Sequence, residues 1–391
     1  MRKVYVDNNA TTRVAPEVVE EMLPFFSQDY GNPSSIHFFG GKVAQKMAEA
    51  REKVAALLGA EPTEIIFTSC GTESDNAAIF SALENYPNKK QIVTTNVEHH
   101  AILNFCKYLK EKGYLVTELS VDQDGQIDLD ELRDSITDDT AIVSIMYANN
   151  ETGVIFPIDE IEKIVKEKGV LFHTDAVQAV GKVPIDLSKR NIDMLSLSGH
   201  KLHAPKGIGV LYIKKGTKFS PFIIGGEQEF GKRGGTENVP YIIGLGKACE
   251  IASKDLEKEI TRIKAMRDRL EKELTEKIPD IVINGGRSNR LPNTLNIGFK
   301  YVEGEAILLH LSNVGIAVST GSACSSGSEE PSHVLKAMGV PASAIHGSIR
   351  FSLSRYNNEE DIDYIIEKLP PIIEKLREIS PFSKTTMINT K

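Results

Sequence analysis

From about residue 41 the apolar positions of the chain follow two different periods in turn. Val43, Met47, Ala50, Val54 and Leu57 recur at steps of four and three and stop at Gly59, which predicts an amphipathic helix with a glycine C-cap. Short apolar runs follow: EIIFTS from 64, QIVTTN from 91, LVTELSV from 115, AIVSIMYA from 141, VLFHTD from 170, DMLSLS from 193 and GIGVLYI from 207. Helical stretches such as AILNFCKYLKEK and IDEIEKIVKEKG separate the earlier ones. Strands alternating with helices predict an α/β fold whose mostly parallel sheet is covered on both faces, here seven strands in one large domain.

The pattern changes after residue 239. The stretch 239–277 is helical throughout and carries KDLEKEITRIKAMRDRLEKELTEK, whose charge density reads as a solvated helix face linking two domains. Beyond it, strand patterns (IVING, NTLNIGF, GSIRFSLS) and helical ones (EAILLHLSNVG, SHVLKAMGV, DIDYIIEKLPPIIEKLREI) mix without strict alternation, as in a smaller α+β domain. The expected division is a large domain at 16–255 and a small domain built from 1–15 and 256–391. No internal repeat is visible, and the closing SKTTMINTK reads as a frayed or partner-dependent tail.

Composition narrows the function classes. With 41% hydrophobic and 26% charged residues the chain is an ordinary globular one, and a net charge of −8 argues against a nucleic-acid partner. No apolar run approaches a membrane span and MRKVYVDNNATT lacks the apolar core of a signal peptide, so a cytoplasmic protein is expected. Cys70, Cys106, Cys249 and Cys324 form no C-x-x-C pair, which fits reduced thiols better than a disulfide framework or a zinc site. Cys106 and Cys249 lie on helical patterns and read as buried packing. Cys324 does not: it sits in STGSACSSGSEEP, residues 319–331, without one branched aliphatic or aromatic residue. A thiol in such a loop is either a tolerated accident or meant to reach something.

Several strand ends carry chemistry. In EIIFTSCGTESDNAAIF a Cys-Gly-Thr turn joins a strand to a helix, so the helix-start N–H groups and the Thr72 hydroxyl form a phosphate seat at Gly71 and Thr72, although Gly-Thr also makes an ordinary N-cap turn. Asp175 follows an apolar strand in VLFHTDAVQ and reads either as a ligand group or as a helix cap. In DMLSLSGHKLHAPKGIG a strand runs into Ser198, His200 and Lys201 before a second strand, and a lysine there is costly unless paired or deprotonated, when it becomes an amine nucleophile. A phosphate at Gly71, Thr72, Ser198 and His200, a cation facing Asp175 and a carbonyl at Lys201 together describe pyridoxal phosphate. His99, in VEHHAIL, stands on the ring face or is a structural histidine. The histidines show neither H-E-x-x-H nor H-x-x-E-H spacing, which argues against a resident catalytic metal. A salt link between Lys201 and Asp175 in a non-catalytic α/β protein would explain those two residues but not Cys324.

DNNATT at 7–12, GNPSSIH at 31–37, TSCGTESDN at 68–76, EHHA at 98–101, NNETG at 149–153, HTDAVQ at 173–178, SGHKLHAPKG at 198–207, RGGTEN at 233–238, GSAC at 321–324 and IRFSLSRYN at 349–357 resemble the pyridoxal-phosphate cysteine desulfurases of the nitrogen-fixation and iron-sulfur-cluster type, in order along nearly the whole chain. The resemblance implies the class V aminotransferase family, fold type I and a homodimer. It implies a Schiff base on Lys201, Asp175 at the pyridine nitrogen, Gln178 at the ring hydroxyl oxygen and His99 over the ring. Gly71, Thr72, Ser198 and His200 would hold the phosphate, with Thr236 reaching it from the partner subunit, while Asn150 and Arg350 would position L-cysteine, Arg350 through its carboxylate. Lys201 would take the α-proton and the Cys324 thiolate the sulfur, leaving alanine and a persulfide on Cys324 for an iron-sulfur scaffold or another acceptor. Cys324 would then be a transient iron-sulfur ligand shared with such a scaffold, with no intrinsic metal site. The glycine and serine around it suit a swinging segment, and the long G-S-A-C-S-S-G run resembles the iron-sulfur-cluster branch. Gly199, Ala204 and Gly234 stand where this family usually has Ala, Gly and Ser. Within the same chemistry a selenocysteine lyase or an aminotransferase is the alternative, and outside it an idle sulfur-carrier scaffold.

Overall fold

In the computed structural model, which describes residues 2–286, 289–320 and 331–381, all seven apolar runs are strands of one sheet. Counting from β1 (Val4–Tyr5), they are β2 (Ile65–Thr68), β3 (Gln91–Thr95), β4 (Leu115–Leu119), β5 (Thr140–Ser144), β6 (Leu171–Asp175), β7 (Met194–Ser198) and β8 (Gly209–Ile213). The spatial order is β2-β8-β7-β6-β5-β3-β4. β8 runs antiparallel to both of its neighbours and the remaining pairs are parallel, so every strand but β8 points its carboxyl end to the same edge.

The strands are continuous apolar runs because both faces are covered. Successive residues of one strand enter different cores: Ile92, Ile142, Met194 and Leu211 pack on one side with Ala78, Ile79, Ile102 and Cys106. Val93, Val143, Leu195 and Val210 pack on the other with Val43, Val54 and Leu58. The helix that buries Val43, Met47, Ala50, Val54 and Leu57 spans Phe38–Leu58 and stops at Gly59 in the left-handed region, φ 65°.

A separate core holds β9 (Ile281–Asn284), β10 (Thr294–Phe299) and β12 (Ser348–Ser352) as an antiparallel sheet in the order β12-β10-β9, with β11 (Ile316–Ala317) pairing β1 alongside. The helix Val239–Lys277 joins the two cores physically: Ile242, Leu245 and Cys249 pack in the first, Met266, Leu270 and Leu274 in the second. The N-terminal segment does the same in miniature, with Val4 and Val6 in the second core and Ala15 in the first. Residues 7–12 therefore cross the seam, and this crossing sets the site. β1 and β11, of two residues each, carry no hydrophobic period of their own.

The turn that presents Lys201 is tightly packed from behind. It begins at Gly199, where a Cβ would lie 2.8 Å from Ile208 Cγ2 and 3.1 Å from Ala204 Cβ. The Gly199 and Ala204 departures from the family wording are thus one methyl group moved across a single contact. We expect Gly199→Ala to destabilise the fold by about 1–3 kcal/mol through overpacking. Gly199→Ala/Ala204→Gly should recover part of that loss, with a coupling of about 0.5–2 kcal/mol in a urea-denaturation double-mutant cycle. Additive losses would show that the two positions do not share the space.

Candidate active site

Five carboxyl strand ends, those of β2, β3, β5, β6 and β7, open into one cavity of about 1110 Å³. Its wall includes Gly71, Thr72, His99, Asn150, Asp175, Gln178, Ser198, His200, Lys201 and Arg350, so ten residues expected from the sequence converge. Crevices outside the carboxyl ends of parallel strands are where α/β folds gather ligands, because the loops there leave backbone donors and side chains unspent.

The helix Gly71–Asn85 starts directly after β2 with Cys70 as N-cap and without any side-chain cap. Its first N–H groups therefore face the cavity uncapped, the condition for anion binding at a helix start. Gly71 is needed for closeness, since a Cβ there would meet Val177 Cγ2 at 2.8 Å. Ser198 ends β7, and His200 follows with Nδ1 3.2 Å from Thr11 Oγ1. Burial, followed by the Lys201 charge, lowers the His200 pKa to about 3, so it faces the seat as a neutral imidazole.

Lys201 Nζ donates to two backbone carbonyls, Asn9 O at 2.6 Å and Ala10 O at 2.7 Å. Gln178 Nε2 donates to the same Asn9 O at 3.0 Å. His99 caps the helix His100–Glu111: its Nδ1 accepts from Ala101 N at 3.1 Å, which places the ring proton on Nε2. Burial first and Lys201 second hold His99 at about 4, so it too is neutral.

Asp175 closes β6, with Oδ1 accepting from Val177 N at 2.9 Å. Burial raises its carboxyl to about 6. Beside it Asp75, 1% exposed, is raised further by burial and then by the Asp175 charge, and its Oδ1 has no hydrogen-bond partner. Two carboxyls in one dry site do not both ionise, so Asp75 keeps the proton and Asp175 the charge. His173 Nε2 lies 3.7 Å from Asp75 Oδ1 but forms no ion pair with it, because burial keeps this imidazole neutral, with a pKa of about 3, between Ser144 Oγ and Ser196 Oγ at 2.9 Å each. Glu98, fully buried behind His99, is raised to about 8 by the same desolvation.

Arg350 reaches the cavity from β12 in the second core and is 2% exposed. Nη2 pairs with Asp7 Oδ1 at 2.9 Å and Nη1 donates to Asn150 O at 3.0 Å, leaving Nε, which has no partner, and two further N–H groups for a ligand.

Two expected residues do not join this wall. Thr236 is exposed, away from the cavity of its own chain, and Cys324 lies outside the described residues. Asn9, Asp7, Asp75 and Glu98 were given no role from the sequence. Asp75 alone left a signal, being one helical turn beyond Gly71 and Thr72 and so on their side of the helix. Among the described residues no group of three or more His, Cys, Asp or Glu side chains is arranged to hold a metal, and no helix is long and apolar enough to cross a membrane.

The aminotransferase class-V family model matches residues 4–365. The chain is 60% identical over 382 residues to a protein of Trichormus azollae named cysteine desulfurase, covering 98% of this chain and 96% of that one. It is 56% identical over 383 residues to the cysteine desulfurase NifS of Azotobacter vinelandii, with 98% and 95% covered. A solved structure described as a NifS-like protein superposes with a TM-score of 0.90 at 43% identity, over 96% of this chain and 100% of that one. The chain therefore belongs to the class V aminotransferase family, among its NifS-type cysteine desulfurases.

Proposed function

We propose that this protein is a cysteine desulfurase that converts L-cysteine to L-alanine and leaves the sulfur as a persulfide on Cys324, from which an acceptor takes it. The observation that carries this is the single cavity in which one lysine, one charged carboxylate, an uncapped helix start and a part-engaged arginine converge. The residues fit pyridoxal phosphate: a Cβ at Gly71 would crowd Val177 beside the uncapped helix start, and the buried Asp175 carboxyl has its Oδ1 on Val177 N–H with Asp75 Oδ1 unbonded beside it. Gly71, Thr72, Ser198 and His200 would hold the phosphate, Asp175 the ring nitrogen, Gln178 the ring oxygen and His99 the ring face. When bound, the cofactor supplies an aldehyde for amine condensation and a cationic ring that draws electrons from the substrate α-carbon.

The chain's own residues do the rest. Arg350, through its remaining N–H groups, and Asn150 orient the substrate carboxylate, a planar fork being suited to two oxygens. Lys201 is the amine among the described wall residues, so its Nζ takes the proton from the substrate Cα and returns a proton to the product. His99, neutral with its proton on Nε2, is a donor toward the ring face. The Cys324 thiolate attacks the substrate sulfur, the C–S bond breaks with its electron pair left on carbon, and protonation of that carbon chain completes alanine.

The other thiols compete poorly. Burial pushes Cys106 and Cys249 to about 12, so neither ionises at neutral pH. Cys70 is half-buried on the cavity wall and is the rival worth testing. A homodimer is part of the reading, supported by exposed Tyr30, Ile36, Phe38 and Ile224 and by the exposed Thr236 segment, which a partner cavity would use. The acceptor would be an iron-sulfur scaffold or another sulfur carrier, and reduced thiols suit a cytoplasmic setting.

Lys201→Ala should abolish alanine release and the borohydride-reducible attachment of pyridoxal phosphate that mass spectrometry maps to residue 201. Undiminished alanine formation by that variant would remove the assignment.

Thr236→Ala should weaken retention of pyridoxal phosphate by about tenfold, the value of one hydrogen bond to a charged group, in equilibrium dialysis of a dimer. A monomer that binds the cofactor stoichiometrically and tightly contradicts the shared site.

Cys324→Ser should keep cofactor binding and the spectral response to cysteine, and lose persulfide and nearly all alanine, because a hydroxyl is almost un-ionised where a thiol is partly thiolate. Its unfolding temperature should stay near that of the parent chain. Extra sulfur found by mass spectrometry on Cys70 after one turnover, with Cys324 unmodified, would move the role to the cavity wall.

A further inference from the structure

A carboxamide looks alike either way round, so the orientation of Gln178 has to follow from its partners. One end of the amide lies 2.9 Å from Lys182 Nζ, a donor in either charge state, and the other lies 3.0 Å from Asn9 O, which only accepts and so takes the nitrogen end. Both contacts are satisfied in one orientation, oxygen to Lys182 and nitrogen to Asn9. That leaves the second Nε2–H for the cavity, where Gln178 is a wall residue. Asn9 O alone holds it weakly, since the same carbonyl also accepts from Lys201 Nζ at 2.6 Å.

Lys182 is an unusual place to keep an amine. Burial, then the charges of Lys201 and Arg350, bring it down to about 7, and among the described residues no carboxylate pairs with it. It lines a second cavity of about 730 Å³, which shares Lys201 with the active cavity and whose wall also carries Asp255, Glu259 and Arg355, with Arg355 3.8 Å from Asp255. The described hydrogen bonds of Nζ both go to Gln178, to Oε1 and, at 3.1 Å, to its backbone O. A lysine serving only to cover surface would not accept that desolvation.

We propose that Lys182 is a positioning residue: it captures the Gln178 carboxamide oxygen and so keeps an Nε2–H turned to the ligand in the active cavity. This rests on the cavity holding pyridoxal phosphate. The bland role for Lys182 is a tie across the turn at 176–183 through the Gln178 backbone carbonyl, and the two roles separate experimentally.

The protein, K182M and K182R are loaded with pyridoxal phosphate, and each is followed by the pH midpoint of the bound-cofactor absorption, by equilibrium dialysis and by the unfolding temperature without cofactor. In K182M, loss of an oriented donor and a nearby cation should raise the midpoint by about one pH unit and weaken retention about tenfold, the scale of one hydrogen bond to a charged group. K182R, still a cationic donor with the second cavity to accept its bulk, should restore both, and the cofactor-free unfolding temperatures should agree. Should K182M not fold, K182Q, too short to reach Oε1, is expected to show the same shifts. A K182M titration and affinity equal to those of the parent overturns the proposal. So does a lowered cofactor-free unfolding temperature without a spectral shift, which marks a structural tie. A parent protein that takes up no pyridoxal phosphate overturns the underlying reading instead.

Discussion

The backbone carbonyl of Asn9 is the point on which the site depends. It accepts from Lys201 Nζ and from Gln178 Nε2, while the Asn9 side chain donates to Asn150 O at 3.1 Å and Thr294 Oγ1 at 2.9 Å and accepts from Asn293 Nδ2 at 3.0 Å. One residue on the crossing segment thus touches the turn after β7, the loop after β6, the loop after β5 and the strand β10 of the other core. Asn9 is 2% exposed, so each of these bonds replaces one to water and each unmade bond would leave a buried polar group unpaired, at about 1–3 kcal/mol. The two cores are held in register where the chemistry requires it, because Arg350 comes from one and Lys201 from the other.

Around this neutral hub the protein keeps a set of buried titratable groups. Asp175 and Asp75 lie side by side on the cavity wall, Glu98 is buried next to His99, and Lys182 bonds Gln178 with no carboxylate partner among the described residues. Buried groups usually pair or lose their charge, and here desolvation moves them in the direction that reduces charge: the acids up, the histidines and the lysine down. The effect is to leave Asp175 as the acid that the proposed cationic ring would face. Neutral His99 and His200 then offer shape and hydrogen bonds without repelling that cation. On the proposed reading, a ligand that pairs with Asp175 would add stability on binding, by linkage.

Much of this was readable in the sequence, for definite reasons. Parallel strands covered on both faces must be apolar at consecutive positions, and seven such runs bounded by polar turns gave the sheet. Chemistry then concentrates where those runs stop, which is how Gly71, Asp175, Ser198, His200 and Lys201 could be named from spacing alone. Asn150, Gln178 and Arg350 came from resemblance, since a glutamine or arginine in a turn or strand looks the same when idle. Asn9 was not readable because it works chiefly through a backbone carbonyl that every residue has. Lys182 reads as an ordinary surface lysine in AVGKVP and Glu98 as a solvated acid, and although Asp75 shares the helix side of Gly71 and Thr72, only packing shows that all three are desolvated. Strands β1 and β11 escaped because two residues carry no period and are strands only by pairing with each other.

Sulfur transfer imposes a constraint that the cavity by itself does not meet. A thiol packed like Cys106 or Cys249 is silenced by burial, so its placement inside the cores protects it from the chemistry next door. Cys70 is on the cavity wall, but it is the N-cap of the helix Gly71–Asn85, with extended backbone at φ −173°. A sulfur bound to it would stay in the wall, facing the bound cofactor, with no way to be handed to a second protein. An acceptor that comes from outside needs a donor thiol carried on chain free of core packing. In the sequence Cys324 stands in STGSACSSGSEEP, thirteen residues with nothing large and apolar to bury, of which 321–330 lie outside the described residues. On the proposed reading, two requirements that one residue cannot satisfy together fall to two: Lys201, held by two backbone carbonyls, for the substrate carbon, and Cys324 for the sulfur.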